Sequence, residues 1–256
     1  MRIRRAVTSD FPKAASISVA AFAKDELYHY TNPYAGQQQS SFRGFMLRRL
    51  KLRNVLPGYI TWVAVTTEIQ DLQDGAPDQE VGSERGRRGE EPDETVIGYA
   101  VWNRHGKSAA ARGWQTQSWA EWLESMLLKT QDTYVDFFQL DKSASPCNMR
   151  RLGAMGFFRD EFAEIPERWH LHNLVVDPIY QRGGVGAKLL SRGLEQAELE
   201  KVPTTLKAST VAEPLYRRIG FNTFLLMDLP GIRMGLPSLI RWPSNPENTE
   251  AGSSTG

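Results

Sequence analysis

The sequence predicts a mixed α/β domain, a central sheet flanked by helices, on three observations. Two runs rich in β-branched and aromatic residues, 59–67 (YITWVAVTT) and 96–103 (VIGYAVWN), read as strands. A third, 169–176 (WHLHNLVV), passes through a glycine-rich loop into a helix that ends near residue 201. Segments with the 3.6-residue apolar repeat of a helix lie before, between and after these strands.

The elements follow in chain order. Residues 2–6 form a short strand. Ser9 or Asp10 can cap a helix over 11–22, which gathers Ala14, Ile17, Ala21 and Phe22 on one face. Residues 42–52 are a second helix. The strands 59–67 and 96–103 pair as a hairpin with a lengthened connection. That connection, 70–95, is rich in Gly, Pro and charge and poor in large apolar residues, so burial cannot offset its ordering entropy and disorder is expected. A long surface insertion costs little, since each doubling of loop length adds about 0.6 kcal/mol.

Residues 108–160 are helical and aromatic. Trp119, Trp122, Leu123, Met126 and Leu127 recur at helical spacing, which predicts a face packed into the core. The other reading is that part of this segment walls a substrate pocket. Residues 204–208 are a further strand. A helix over 211–219 carries Leu215, Tyr216 and Ile219, Gly220 fits the left-handed residue that ends a helix, and Phe221 starts another strand. The organisation is one domain over 1–243, with a tail at 244–256 expected to be disordered.

Composition narrows the functions. The 256 residues carry a net charge of +1, so no basic field calls for nucleic acid. Cys147 is the single cysteine, which excludes an internal disulfide and a Cys-rich zinc site. The first residues mix charge into an amphipathic segment rather than a signal peptide, and no apolar run is long enough to cross a bilayer. The expectation is a soluble cytoplasmic protein without a membrane partner.

The loop at 181–187 carries the chemistry. Asp177-Pro178-Ile179-Tyr180 is a turn, because proline cannot continue a ladder. Gln181, Arg182, Gly183, Gly184, Val185, Gly186 and Ala187 then lead into a helix with Val185, Leu189, Leu190, Leu194 and Ala197 on one face. The first N–H groups of a helix lack internal partners and sit at the positive end of its dipole. Glycines let a phosphate approach them, and Arg182 adds charge beside them. Rival nucleotide motifs fail: no Walker loop is present, and the third glycine of a dinucleotide fingerprint is replaced by Leu189.

Two stretches, LHNLVVDPIYQRGGVGAKLL at 171–190 and KASTVAEPLYRRIGF at 207–221, resemble the GNAT acetyltransferase superfamily. The first is similar to its Q/R-x-x-G-x-G/A loop through Gln181, Gly184 and Gly186. The second is similar to its L-Y-x-x-x-G-F element through Leu215, Tyr216, Gly220 and Phe221. The resemblance implies a strongly twisted mixed sheet in which two parallel strands, here 169–176 and 204–209, splay around acetyl-CoA as co-substrate. It implies that backbone groups of Leu174, Val175 and Val176 hold the pantetheine arm. N–H groups from Arg182 to Ala187 would bind the pyrophosphate, and side chains near Ser209 would touch the cofactor arm.

It further implies direct acetyl transfer to an amine, with Tyr216 as general acid. His172 and Glu164 are the candidate bases: His170 and His172 share one face of their strand, and Glu161, Glu164 and Glu167 precede it. No further ligand cluster joins the two histidines, so no metal is expected. A small-molecule amine is the leading acceptor. A peptide or protein N-terminus, a longer acyl donor, a non-catalytic acyl-CoA sensor, and an interaction module built on the insert remain open. The insert and the aromatic segment depart from a minimal family member and bear on the acceptor side.

Overall fold

In the computed structural model, which describes residues 1–67, 94–228 and 235–244, seven strands form one sheet. They are β1 (Arg2–Arg5), β2 (Tyr59–Thr66), β3 (Thr95–His105), β4 (Arg168–Val176), β5 (Thr204–Lys207), β6 (Asn222–Asp228) and β7 (Gly235–Arg241). Their spatial order is β1-β2-β3-β4-β5-β7-β6. Neighbours run antiparallel except β4 and β5, which are parallel. The helices are α1 (Phe11–Ala21), α2 (Glu26–Thr31), α3 (Gln39–Val55), α4 (Ala109–Trp114), α5 (Trp119–Phe137), α6 (Pro146–Ala154), α7 (Val185–Glu200) and α8 (Glu213–Arg218). The mixed α/β class and the predicted hairpin of β2 and β3 are both present.

Two cores sandwich the sheet. On one face Phe11, Ile17, Phe42 and Met46 of α1 and α3 pack against Val63, Tyr99, Val101 and Val175. On the other, Val185, Leu189, Leu190 and Ala197 of α7 pack against Ala100, Trp102, Trp169 and Leu171. Gly193 allows this second contact. A Cβ there would lie 2.2 Å from the Trp102 ring, so a larger residue cannot seat α7 at its present depth. The far end of α7 is tied down by charge. Buried Arg104 pairs with Glu200 at 2.6 Å and Glu167 at 2.8 Å, and the Trp114 and Trp169 indoles donate to the same Glu200 carboxylate. A buried guanidinium is tolerated because it is paired this way.

Several boundaries differ from the sequence reading. Asp10 stands at the N-cap of α1 without capping it. Its carboxylate accepts from Arg4 and from the Val7 N–H, tying the strand to the preceding turn instead. Helix α3 begins at Gln39, three residues early, in a polar stretch without apolar periodicity. Helix α8 starts at Glu213 rather than 211, with Pro214 in its first turn, where the missing N–H costs nothing. Of the stretch 70–95, residues 70–93 lie outside the described residues. Glu94 pairs with Arg2 and Arg4, and Thr95 opens β3, so those two are ordered. Of the tail, 245–256 lies outside the described residues, and the Ser244 N–H donates to Glu198 at 2.9 Å.

The expectation that the aromatic stripe of 119–127 enters the core is overturned. Trp119 is 74% exposed, and Trp122, Leu123, Met126 and Leu127 are exposed with it. Helix α5 leans on α3 through its opposite edge, burying Ser125 and Val135 and pairing Asp132 with Arg48 at 2.9 Å. Periodicity announces a face but not which side of the helix the fold covers.

Candidate active site

The loop after β4 crosses the left-handed region twice, at Arg182 (φ 65°) and Gly184 (φ 79°). For a residue with a side chain that conformation is costly, and strain of this kind gathers at functional sites. Around the Cβ position of Gly184 there is no atom within 4 Å, so the glycine serves the backbone angle and leaves the approach to α7 clear. The first helical bond runs from the Lys188 N–H to the Gly184 carbonyl. The N–H groups of Val185, Gly186 and Ala187 precede it, and no side chain caps them. Three amide hydrogens at the positive end of a 16-residue helix thus face outward without a partner. Gln181 is occupied otherwise: its Nε2 donates to the Val176 carbonyl at 3.0 Å, which fastens the loop to β4.

Strand β4 opens the sheet. It pairs with β5 only at Trp169–Thr204, His170–Thr205 and Leu171–Leu206. On its other side it stays paired with β3 up to Val176. From His172 to Val176 the edge facing β5 therefore has no partner strand, and it includes Leu174, Val175 and Val176. The β3–β4 register also slips: Val101 faces Asn173 while Trp102 faces Leu171. His172 is the extra residue of a bulge, a device that re-aims side chains. Before it Trp169 and Leu171 pack toward α7; after it Val175 packs toward α1 and α3.

A cavity of about 980 Å³ lies at this divergence. Leu174, Ala208, Ser209 and Tyr216 line one side, and His105, His170 and His172 line the floor. Tyr216 is 6% exposed, in edge-to-face contact with Phe221, and its hydroxyl has no hydrogen-bond partner among the described residues. Burial pushes the phenol above its ordinary pKa, so it keeps its proton at neutral pH. The histidines are the opposite case. Burial, with His105 and Arg168 nearby, pushes His170 down to about 3. Burial and Arg168 take His105 to about 4. Burial, His170 and Arg53 hold His172 well below the usual imidazole value. His170 bonds Thr205 Oγ1 at 2.9 Å, whereas His172 stacks on Tyr59 and leaves Nε2 unpaired.

Residues 154–233 match the GNAT acetyltransferase domain. An uncharacterized N-acetyltransferase of Schizosaccharomyces pombe is 33% identical over 86 residues, which are 32% of this chain and 37% of that protein. Over residues 154–233 the chain is similar to the GNAT acetyltransferase domain. It spans little more than a third of the length of the yeast relative. Among solved structures, histone acetyltransferase HPA2 and related acetyltransferase from Corynebacterium glutamicum superposes with a TM-score of 0.56. It is 20% identical, over 95% of this chain and 97% of that one, and so shares the fold. The PaiA N-acetyltransferase of Thermoplasma acidophilum in complex with coenzyme A covers 94% of this chain and 98% of its own at 11% identity and a TM-score of 0.45.

Within residues 154–233, the sequence-predicted residues divide cleanly. Tyr216, His172, Leu174 and Ser209 come together at the cavity. Glu164 does not: it is exposed and outside the lining, and Glu161, three residues earlier, takes its place. Glu161 is pinned by Lys207 at 2.9 Å and by the Ser238 hydroxyl. Nothing local in the sequence separates the two glutamates; only the partner on β5 does. Sequence reasoning also missed the opposite wall, where Tyr28, Arg49 and Arg53 of α2 and α3 meet Asp132, Val135 and Asp136 of α5. Part of the aromatic segment does wall the pocket, through that edge of α5 and through Phe157, Phe158 and Phe162. Among the described residues no three or more His, Cys, Asp or Glu side chains gather as a metal group, and no helix is long and apolar enough to cross a membrane.

Proposed function

We propose that the protein transfers an acetyl group from acetyl-CoA to a small-molecule amine. The observation that carries this is the unpaired edge of β4, which leads from a cavity lined by a protonated, unpartnered Tyr216 toward the uncapped amides that start α7. The amides of Arg182 to Ala187 bind a diphosphate, with Gly184 leaving room for it while Gly186 lets α7 sit against Val176 and Leu174. Gln181 holds the loop in register through the Val176 carbonyl. Backbone groups of Leu174, Val175 and Val176 orient an extended amide-bearing arm as a further strand would, and Ser209 borders it. The bound donor supplies a thioester carbon, at which a C–N bond to the amine forms as the C–S bond breaks.

Tyr216 holds a proton at Oη and gives it to the departing thiolate; the proton released by the amine replaces it. The buried histidines stay neutral at pH 7, so they add no positive charge against an incoming amine. The aromatic side chains lining the cavity support a small acceptor over a long peptide. Calorimetry with coenzyme A tests the reading: a saturable one-to-one site is expected, and no heat would end it.

A further inference from the structure

We infer that the acceptor amine also carries a carboxylate, held by Arg53 with Arg49 on the helical wall of the cavity. This rests on the transferase reading above and concerns the acceptor side of the same cavity. Arg53 lies on α3 and lines the cavity together with His172 and Asn173 of β4. A single hydrogen bond is made by its guanidinium, from Nη1 to the Asn173 Oδ1. No described carboxylate forms an ion pair with it. Its charged neighbour is Arg49, another cation, and burial with Arg49 lowers its affinity for its proton. Arg49 has no ion-pair partner among the described residues and rests over the Phe45 ring at 5.2 Å.

Of the other cations lining the cavity, Arg150 and Arg159 are exposed to solvent and the rest are paired. Arg48 pairs with Asp132, Arg168 with Asp160, and Lys207 with Glu161. Asp25, also at the cavity, caps α2 through the Tyr28 N–H. A mostly buried guanidinium with four N–H donors unused and a second cation beside it is costly until an anion arrives. Asn173 orients the fork, and the bulge at His172 is what turns Asn173 toward α3. Carboxylates suit that planar fork by two parallel bonds. The diphosphate of the donor is served at the far side, by the loop at 181–187, which leaves this pair for the acceptor.

The test uses the full-length chain with amino acids and their matched amides, small, branched and aromatic, as acetyl acceptors. The free carboxylates should exceed their amides by about tenfold or more in kcat/KM, the scale of a charge-assisted pair. Arg53→Gln should raise KM for the carboxylates by a similar factor, leave the amides and the KM for acetyl-CoA within about threefold, and be partly rescued by Arg53→Lys. Should none of these amines be acetylated, N-acetyl amino acids and their amides are titrated into the coenzyme A-loaded protein, where tighter binding of the acids is expected. Equal handling of acid and amide in either assay, or an Arg53→Gln defect shared by both, overturns the inference. The last of these assigns Arg53 to holding the bulge alone. Loss of coenzyme A binding in the wild type is a different failure, of the transferase reading itself.

Discussion

The two walls of the cavity are built on different principles. The strand wall, β4 with the loop at 181–187 and α8, works through backbone: an unpaired edge, uncapped amides, and one phenol in a neutral surrounding. The helical wall, α2, α3 and α5, works through side chains, and its charges are abundant and mostly paired. Backbone devices need glycine, proline and strand order, which leave local marks in a sequence. Side-chain walls need only that distant helices meet, which leaves none. On the reading proposed above, the transfer chemistry and the choice of acceptor would reside in separate parts of the chain.

Four experiments break or sharpen this contrast. Tyr216→Phe should lower kcat by about 100-fold or more, the usual reach of a positioned acid. Coenzyme A affinity and stability should hold, since the hydroxyl has no partner to lose. A variant with near-normal turnover removes Tyr216 from the chemistry. Next, Gly193→Ala forces a Cβ against Trp102 and should cost about 3 kcal/mol in denaturant unfolding. A cost near zero means α7 can lift without loss, and the rigid strand wall is illusory.

The third concerns pH. His170 titrates near 3 when folded and near the ordinary imidazole value when unfolded. Between those values the unfolded chain binds a proton that the folded one refuses, so stability rises with pH through this window and falls as acid is added. Depressed carboxylates such as Glu94 lose stability in the same direction, so the comparison must be between variants. His170→Gln should flatten the slope between pH 4 and 6 by about 1.4 kcal/mol per pH unit. An unchanged slope means the floor is not dry. The smallest effect is expected at Trp119→Ala, within about 0.5 kcal/mol, because the side chain is exposed. A cost of about 3 kcal/mol would show that the α5 stripe is buried after all.

Most of the strand wall was legible. Strand β4, the loop at 181–187 and helix α7 stand where periodicity and loop composition put them, and β4 pairs with β5 over three residues only. The bulge was not legible, because it is a mismatch of residue counts between β3 and β4 and neither strand records it alone. Glu164 was preferred as a base although nothing in the sequence distinguished it from Glu161, whose position is fixed by Lys207 on β5. The α5 stripe was read as core because amphipathic periodicity is blind to which layer exists beside it. Arg49 and Arg53 were passed over for the same reason: a basic helix looks solvated until its neighbours are known.

The extra residue in β4 has one more effect. It throws the two ends of the strand out of phase, so that Trp169 and Leu171 anchor one layer of the molecule while Val175 anchors the other. A single ribbon thereby stitches both halves of the sandwich together at the point where the donor and acceptor would meet. Excising His172 would leave Leu171 and Asn173 on the layers they now occupy, since their partners Trp102 and Val101 are consecutive on β3, and would take from the strand only its bend at this point.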